Sequence, residues 1–328
     1  MDGKKDSKLK ERLGIAANHN FFYVLIICLF VAYVFTGMML LGLLIGLCIV
    51  WVVALEFLIG ASEHGIKNEL KETAIALLIA LIIWFGAGFI LNTPSPINAI
   101  VSCSMLPHIQ RGDMVLLSGD RISAPLEKVE SLGGIGTARV FQDGNGVLDV
   151  NGSLYAYCAQ HQGEPICNSF ILAPEKFFEK HGPLTIGYER CEILYPKTGV
   201  RQTGPCVAYL EVNGKRYYEN LSNDVVVYQP NRSEYYSRVG DIIHRVFIKL
   251  SSKNQTYFLT KGENNPILDI QVYDEASRKG NRPVEVERSK GRILFNAPYI
   301  GYLKLFISPS AIPTPEGCDR YYAKYEKT

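Results

Sequence analysis

The 328-residue sequence predicts a mainly β domain preceded by an N-terminal transmembrane helical region. Its long uncharged apolar runs lie before residue 92, whereas the residues after 100 form short β-branched and aromatic runs separated by turn residues. The composition supports a membrane protein, since 48% of the residues are hydrophobic. The formal net charge is only +2 and no extended basic patch is visible, which argues against a nucleic-acid partner.

The apolar part predicts three membrane-spanning helices. Residues 21–61 contain a single charge, Glu56, and a later uncharged run ends before two prolines that stop a helix. A span takes about 20 residues, so the first run is long enough for two helices with a break at Gly37. We predict helices over about 21–36, 38–59 and 73–91.

Charge predicts the orientation of these helices. Five basic residues precede the first run, and the positive-inside rule keeps them in the cytoplasm: Lys4, Lys5, Lys8, Lys10 and Arg12. Three spans then place the chain beyond residue 92 outside the cytoplasm, whereas two spans would leave it inside. We therefore expect a cytoplasmic N-terminus over 1–20 and an extracytoplasmic β domain.

Cysteines and glycosylation sequons support the same orientation. Six cysteines follow the last apolar run, and proximity favours the pairs Cys158–Cys167 and Cys191–Cys206. Four Asn-x-Ser/Thr sequons occur, none of them before residue 100. No CxxC pair is present, so a zinc site is not expected.

The segment after residue 100 predicts strands in succession. Asn213-Gly214 is a strong hairpin signal between two of them. A short helix is expected over 174–180. The predicted strands are Met114–Leu117, Val207–Val212, Lys215–Asn220, Asp241–Leu250, Thr256–Lys261, Pro283–Glu287, Arg292–Phe295 and Gly301–Ile307.

Five segments of the sequence carry a family resemblance. They are SCSMLP at 102–107, RGDMVLL at 111–117, GDIIHRVF at 240–247, LTKGENNPILD at 259–269 and FNAPYIGYLKLFI at 295–307. In this order they resemble the type I signal peptidases, specifically the archaeal and endoplasmic-reticulum branch. The resemblance implies a signal-peptidase-like β fold with its catalytic core in 92–118 and 238–310. Residues 119–237 then form an inserted β subdomain, and 311–328 a C-terminal tail.

The resemblance implies a serine peptidase site. Ser104 is the implied nucleophile, and His244 is the implied general base, standing where the bacterial branch has a lysine. A serine hydroxyl needs such a base, and an imidazole with a reference pKa of about 6.5 suits the task. Two acids six residues apart, Glu263 and Asp269, are candidates to orient the imidazole. Glu263 replaces the family's usual Asp, so we favour Asp269.

Other residues complete the predicted site. The Ser104 backbone N–H and the Ser102 hydroxyl are candidate oxyanion donors. Cys103, where the family usually has glycine, either narrows the site or enters a disulfide. Lys261 is a rival base, but it would need burial to lose its proton. No metal and no cofactor are expected.

The sequence thus predicts a membrane-bound serine endopeptidase that removes signal peptides. Its expected partners are preproteins bearing signal peptides, the lipid bilayer and the protein translocation machinery. The expected location is an archaeal plasma membrane, with the endoplasmic reticulum as the less favoured alternative. Another precursor-processing peptidase of the same fold, and a non-catalytic membrane-anchored binding or assembly subunit, remain alternatives.

Overall fold

The computed structural model describes residues 19–36, 38–302 and 317–324 of the chain. The chain divides into two compact units. One contains residues 1–90 and 299–313, and the other contains residues 91–298 and 314–328. The first unit is helical and the second is mostly β, which is the class predicted from the sequence.

The first unit contains the helices α1 (His19–Thr36), α2 (Met39–His64) and α3 (Ile66–Ile90). Large apolar side chains cover the outer surfaces of these helices, and no residue of α3 is buried. Between α1 and α2, the Tyr23 hydroxyl donates a hydrogen bond to the Glu56 carboxylate, which gives this lone acid a partner. Such apolar surfaces suit lipid rather than water.

Two of these helices, α2 and α3, are long and apolar enough to cross a membrane. The apolar part of α1, Phe21–Thr36, is shorter. At 1.5 Å per residue it is about 24 Å long, against about 30 Å of hydrocarbon. The described residues therefore contain two candidate spans instead of the predicted three.

The third helix begins earlier than predicted. α3 starts at Ile66 and includes residues 67–72, four of them charged, which lie in the loop between the second and third predicted helices. Lysine and glutamate are good helix formers, so this stretch continues the helix. The break falls at Gly65, whose φ of +83° suits glycine and whose N–H caps α2 through the Ala61 carbonyl.

The first sheet of the β unit contains eight strands among the described residues. Seven strands follow the order β1-β2-β16-β10-β11-β12-β15, all antiparallel, and β3 adds to β11 in parallel. The strands are β1 (Ile97–Ala99), β2 (Met114–Ser118), β3 (Leu126–Lys128), β10 (Val225–Tyr228), β11 (Ile242–Ser252), β12 (Gln255–Lys261), β15 (Val284–Glu285) and β16 (Ser289–Ala297).

The second sheet has the order β5-β4-β6-β7-β8-β9, with β17 beside β7. Its strands are β4 (Thr137–Gln142), β5 (Asn145–Asn151), β6 (Phe177–His181), β7 (Leu184–Tyr195), β8 (Val200–Val212), β9 (Lys215–Tyr217) and β17 (Tyr321–Lys324). A separate hairpin pairs β13 (Tyr273–Asp274) with β14 (Lys279–Gly280). The helices α4 (Leu154–Gln160) and α5 (Pro165–Leu172) connect β5 to β6.

Several local predictions need correction. β3 and β10 come from the predicted insertion but pair within the first sheet. The segment 174–180 has one 3₁₀ turn, Pro174–Lys176, and then enters β6, because alternate residues of β6 face the core. α4 and α5 were not predicted. The strand predicted at 301–307 does not begin at Gly301, which lies in a turn, and 303–307 lies outside the described residues.

The predicted C-terminal tail is partly structured. Its strand β17 pairs antiparallel with the Cys191–Leu194 part of β7. A disulfide joins Cys318, just before this strand, to Cys103. Two further disulfides link Cys158 to Cys167 and Cys191 to Cys206, the pairs favoured by proximity.

One hydrophobic core joins the two sheets. Leu184, Ile186 and Leu210 from the second sheet belong to the same buried cluster as Ile248 and Leu259 from the first. The cluster also includes Leu268 and Ile270, which flank Asp269. The second sheet therefore helps to support the turn that carries Asp269.

Truncating this core is expected to destabilise the β unit. Leu210 is fully buried, so Leu210→Ala should lower the free energy of unfolding by about 2–5 kcal/mol. The matched control is Leu221→Ala, whose side chain is 54% exposed and should change it by less than about 0.5 kcal/mol. Denaturant unfolding in detergent measures both, and equal effects would contradict the shared core.

Candidate active site

His244 and Asp269 form a buried imidazole–carboxylate pair. His244 lies on β11, where it shares a buried face with Ile242 and Val246. Its Nδ1 atom is 2.7 Å from Asp269 Oδ2, and the two residues are 3% and 2% exposed. Within the described part of the chain, no hydrogen bond engages the other ring nitrogen, Nε2. A carboxylate on Nδ1 leaves Nε2 able to accept a proton.

The same oxygen of Asp269 accepts two further hydrogen bonds. The Tyr228 hydroxyl lies 2.9 Å away and the Thr260 hydroxyl 2.6 Å away. Burial raises the pKa of Tyr228 well above its usual value, and the Asp269 charge adds to this shift. Tyr236, whose ring meets the His244 ring edge-on at 6.1 Å, has its pKa raised by the same two causes. Both phenols therefore stay protonated, and Tyr228 remains a donor to the carboxylate.

Ser104 lies in the turn that follows β1 and is partly exposed. Its hydroxyl is 3.2 Å from the Ser102 hydroxyl. Its carbonyl accepts a hydrogen bond from the Asn264 N–H at 2.7 Å. The Asn264 side chain also donates to the Cys103 carbonyl at 3.0 Å, and Cys103 is held by its disulfide to Cys318. The backbone hydrogen bond, the side-chain hydrogen bond of Asn264 and the disulfide together fix the position of this turn.

The Ser104 turn lies at the same end of the sheet as His244. β12 ends at Lys261, which pairs with Arg245, the residue after His244. The next residue, Gly262, packs so closely on the turn that an added Cβ would be 2.7 Å from the Ser104 carbonyl oxygen. Among the described residues, no hydrogen bond joins the Ser104 hydroxyl to His244. The serine bonds to Ser102 instead.

The other predicted acid, Glu263, is engaged elsewhere. Its carboxylate accepts hydrogen bonds from the Arg245 guanidinium, one of them 3.0 Å long, and lies 2.5 Å from His108 Nδ1. The rival base Lys261 donates to the Glu219 carboxylate at 3.0 Å and to the Gly262 carbonyl at 3.2 Å. These contacts engage the Lys261 amino group away from Ser104, which disfavours a Ser-Lys site.

His108 is a residue that the sequence analysis missed. Its side chain is 52% exposed, and its carboxylate partner Glu263 is almost buried. It follows Ser104 by four residues within the same turn. The chain contains six histidines, so the sequence did not single out His108 as a site residue. Its position four residues after Ser104 was the sequence feature that could have identified it.

A buried polar network behind Asp269 was also missed. The Gln271 side-chain amide donates to Tyr188 at 2.8 Å and to Glu179 at 3.2 Å, and it accepts from the Leu268 N–H at 2.9 Å. Glu179 further contacts His181 Nε2 at 2.7 Å. Because Asp269–Gln271 is a single 3₁₀ turn, this network connects the second sheet to the turn that carries Asp269.

One potential metal-ligand cluster occurs in the described residues. Glu189, Cys191 and Cys206 have their ligand atoms within 4.8 Å of one another. The two cysteines form a disulfide, however, and a disulfide offers no thiolate to a metal.

No family model matches the chain. It is 26% identical over 219 residues to an uncharacterized protein of Methanocaldococcus jannaschii, which covers 65% of this chain and 84% of the relative. It is also 35% identical over 57 residues to the signal peptidase complex catalytic subunit SEC11 of Colletotrichum graminicola. This second match covers 17% of this chain and 33% of the relative.

Removing Glu179 is expected to destabilise the protein strongly. Glu179→Ala would leave several buried donors without an acceptor, and such a loss costs about 3–5 kcal/mol. The matched control is Glu211→Ala, which breaks a partly exposed pair with Arg216 and should cost below about 1 kcal/mol. Thermal unfolding compares the two, and a tolerated Glu179→Ala would show that the network is dispensable.

Proposed function

We propose that this protein is a membrane-bound serine endopeptidase that cleaves signal peptides, with a signal-peptidase-like β fold. The observation that carries the proposal is the buried His244–Asp269 pair at the end of the sheet where the Ser104 turn lies. Ser104 acts as nucleophile, His244 as general base and Asp269 as the group that orients the imidazole. The short likeness to the SEC11 subunit supports the substrate class.

The proposed reaction uses the free ring nitrogen of His244. Ser104 Oγ turns from Ser102 toward Nε2, gives up its proton there and attacks the scissile carbonyl. Asp269 stabilises the imidazolium that forms. The protonated imidazole then donates to the leaving amine, and a water molecule hydrolyses the acyl-enzyme by the same route in reverse.

The developing oxyanion needs donors that are already in place. The Ser104 backbone N–H supplies one of them. The Ser102 hydroxyl supplies the second, since it loses its hydrogen bond to Ser104 when that hydroxyl rotates away. The 3.2 Å contact between the two serines is the resting arrangement of a free enzyme.

Membrane placement is part of the proposal. Three disulfides suit an oxidising compartment, so we place the β unit outside the cytoplasm. If the basic N-terminus is in the cytoplasm, an extracytoplasmic β unit requires an odd number of membrane crossings. We propose that α1 is the third crossing, and that the bilayer thins locally to match its shorter length. The proposed location is an archaeal plasma membrane. The proposed partners are preproteins, the lipid bilayer and the translocation machinery.

Loss of the nucleophile or the base should abolish processing. Ser104→Ala and His244→Ala each remove a group that the reaction needs and should reduce cleavage of a preprotein in detergent to background. The matched control, Ser131→Ala, changes an exposed serine whose hydroxyl bonds only within its own loop and should keep full activity. Near-normal turnover by either site variant would refute the mechanism.

The two acids should differ in their contribution to kcat. Asp269→Asn keeps the size of the side chain but removes the charge that orients His244, so kcat should fall by a factor on the order of 10⁴. Glu263→Gln leaves the His244–Asp269 pair intact and should retain at least about a tenth of the activity. The reverse order would transfer the orienting role to Glu263.

A further inference from the structure

A cavity of about 430 Å³ opens beside the candidate active site. We call it the tyrosine groove and define it by six of its lining residues: Tyr155, Gln160, Tyr236, Tyr273, Arg320 and Tyr322. α4, the β13 hairpin and the C-terminal segment around β17 build its walls. These three segments lie outside the motifs that resemble the signal peptidases, whereas a further part of the lining, residues 264–267, belongs to the LTKGENNPILD motif.

The groove begins at the proposed catalytic groups. Tyr236 forms one wall and packs edge-on against His244, with 6.1 Å between the ring centres. Asn264, another lining residue, donates its backbone N–H to the Ser104 carbonyl at 2.7 Å. The groove therefore adjoins both the proposed base and the turn that carries the proposed nucleophile.

The walls of the groove are held in place before any ligand arrives. The Asn264 side chain bonds to the carbonyls of Gly317 and Arg320 at 3.0 and 2.9 Å, and it accepts from the Tyr322 N–H at 3.1 Å. On the opposite side, the Gln160 amide donates to the Tyr273 carbonyl at 3.1 Å. A preformed site loses little conformational entropy on binding.

The lining combines tyrosines and polar groups with apolar side chains, and the polar groups favour a polar peptide; the apolar members are Ala156, Ala159, Pro266, Ile267 and Val272. Tyrosine rings offer broad amphipathic surfaces with few rotatable bonds, a property that antibody binding sites exploit. Side-chain amides and hydroxyls add donors and acceptors that an apolar segment would leave unpaired at a cost. The apolar stretch of a signal peptide is therefore a poor occupant, and the hydrophilic chain beyond the cleavage point is a good one.

Charge adds a preference within that chain. The Arg320 side chain hydrogen-bonds to Tyr195 and forms no salt bridge with a carboxylate among the described residues. The Asp274 carboxylate in the same groove accepts from the Ser277 N–H at 2.9 Å and from the Ser277 hydroxyl. A phenol partner leaves the Arg320 charge without a paired carboxylate and most of its N–H donors free, so the guanidinium can still bind an anionic group of a ligand. It favours an acidic side chain on the peptide.

We propose that the tyrosine groove binds the hydrophilic segment that follows the scissile bond, in extended form, and selects an acidic residue through Arg320. This inference rests on the proposed peptidase function for its biological meaning. It assigns the second sheet's connecting helix α4 and the C-terminal segment a role in substrate selection.

The test measures binding apart from cleavage. Two fluorescent hexapeptides, identical except for one glutamate replaced by lysine, are titrated against the full-length Ser104→Ala protein in detergent. We expect the acidic peptide to bind at least tenfold more tightly. Adding Arg320→Glu should abolish or reverse the preference, while Arg139→Glu, an exposed change on β4, should leave it intact.

Equal affinity for the two peptides, or a preference that survives Arg320→Glu, would overturn the proposal. The unmodified enzyme provides the separate check of function with a full-length preprotein. A protein that binds the acidic peptide but cleaves no preprotein would contradict the peptidase proposal and leave the groove standing. Cleavage of the preprotein without any preference between the two peptides would support the peptidase proposal and contradict the role of the groove.

Discussion

The buried carboxylate of Asp269 is the constraint on which the site depends. A charge in a protein interior is costly unless hydrogen bonds satisfy it, and here Oδ2 receives three partners while Oδ1 has none among the described residues. Tyr228, His244 and Thr260 come from β10, β11 and β12, which are adjacent in the first sheet. The strand order therefore brings the three donors together, and a change of register in any one of these strands would remove one of them from the carboxylate.

The surrounding layers explain why this arrangement holds its shape. Leu268 and Ile270 anchor the turn on either side of Asp269 in the core shared by both sheets. Gln271 connects the turn to Glu179 and Tyr188 on the second sheet. On the serine side, Asn264 ties the Ser104 turn to the C-terminal segment. The second sheet thus contacts the candidate site directly, although its sequence carries none of the motifs that resemble the signal peptidases.

Sequence patterns located the main architecture because it depends on local signals. Apolar runs, the Asn213-Gly214 hairpin and the alternation along β11 each reflect a short stretch of chain. The contact between His244 and Asp269 was suggested by motif order alone. The sequence did not reveal which distant groups would pair with the candidate residues. Glu263 binds Arg245 and His108, and Lys261 binds Glu219.

Buried polar groups were the hardest to predict. Glu179 and His181 lie fully inside the second sheet, where charged residues are rare, and an alternating strand pattern marks them only as inward-facing positions. The partner of Cys103 was equally hidden, because Cys318 is 215 residues away along the chain. Such distant pairings follow from the complete fold and leave no local trace in composition or spacing.

The link between Cys103 and Cys318 has a topological consequence. It closes a covalent ring that contains almost the whole β unit, with the proposed nucleophile just inside the closure. One backbone cut anywhere in that ring, including at an exposed loop tip, leaves both fragments joined. A singly nicked molecule would therefore migrate as one chain on a non-reducing gel and separate into two pieces only after the thiols are reduced.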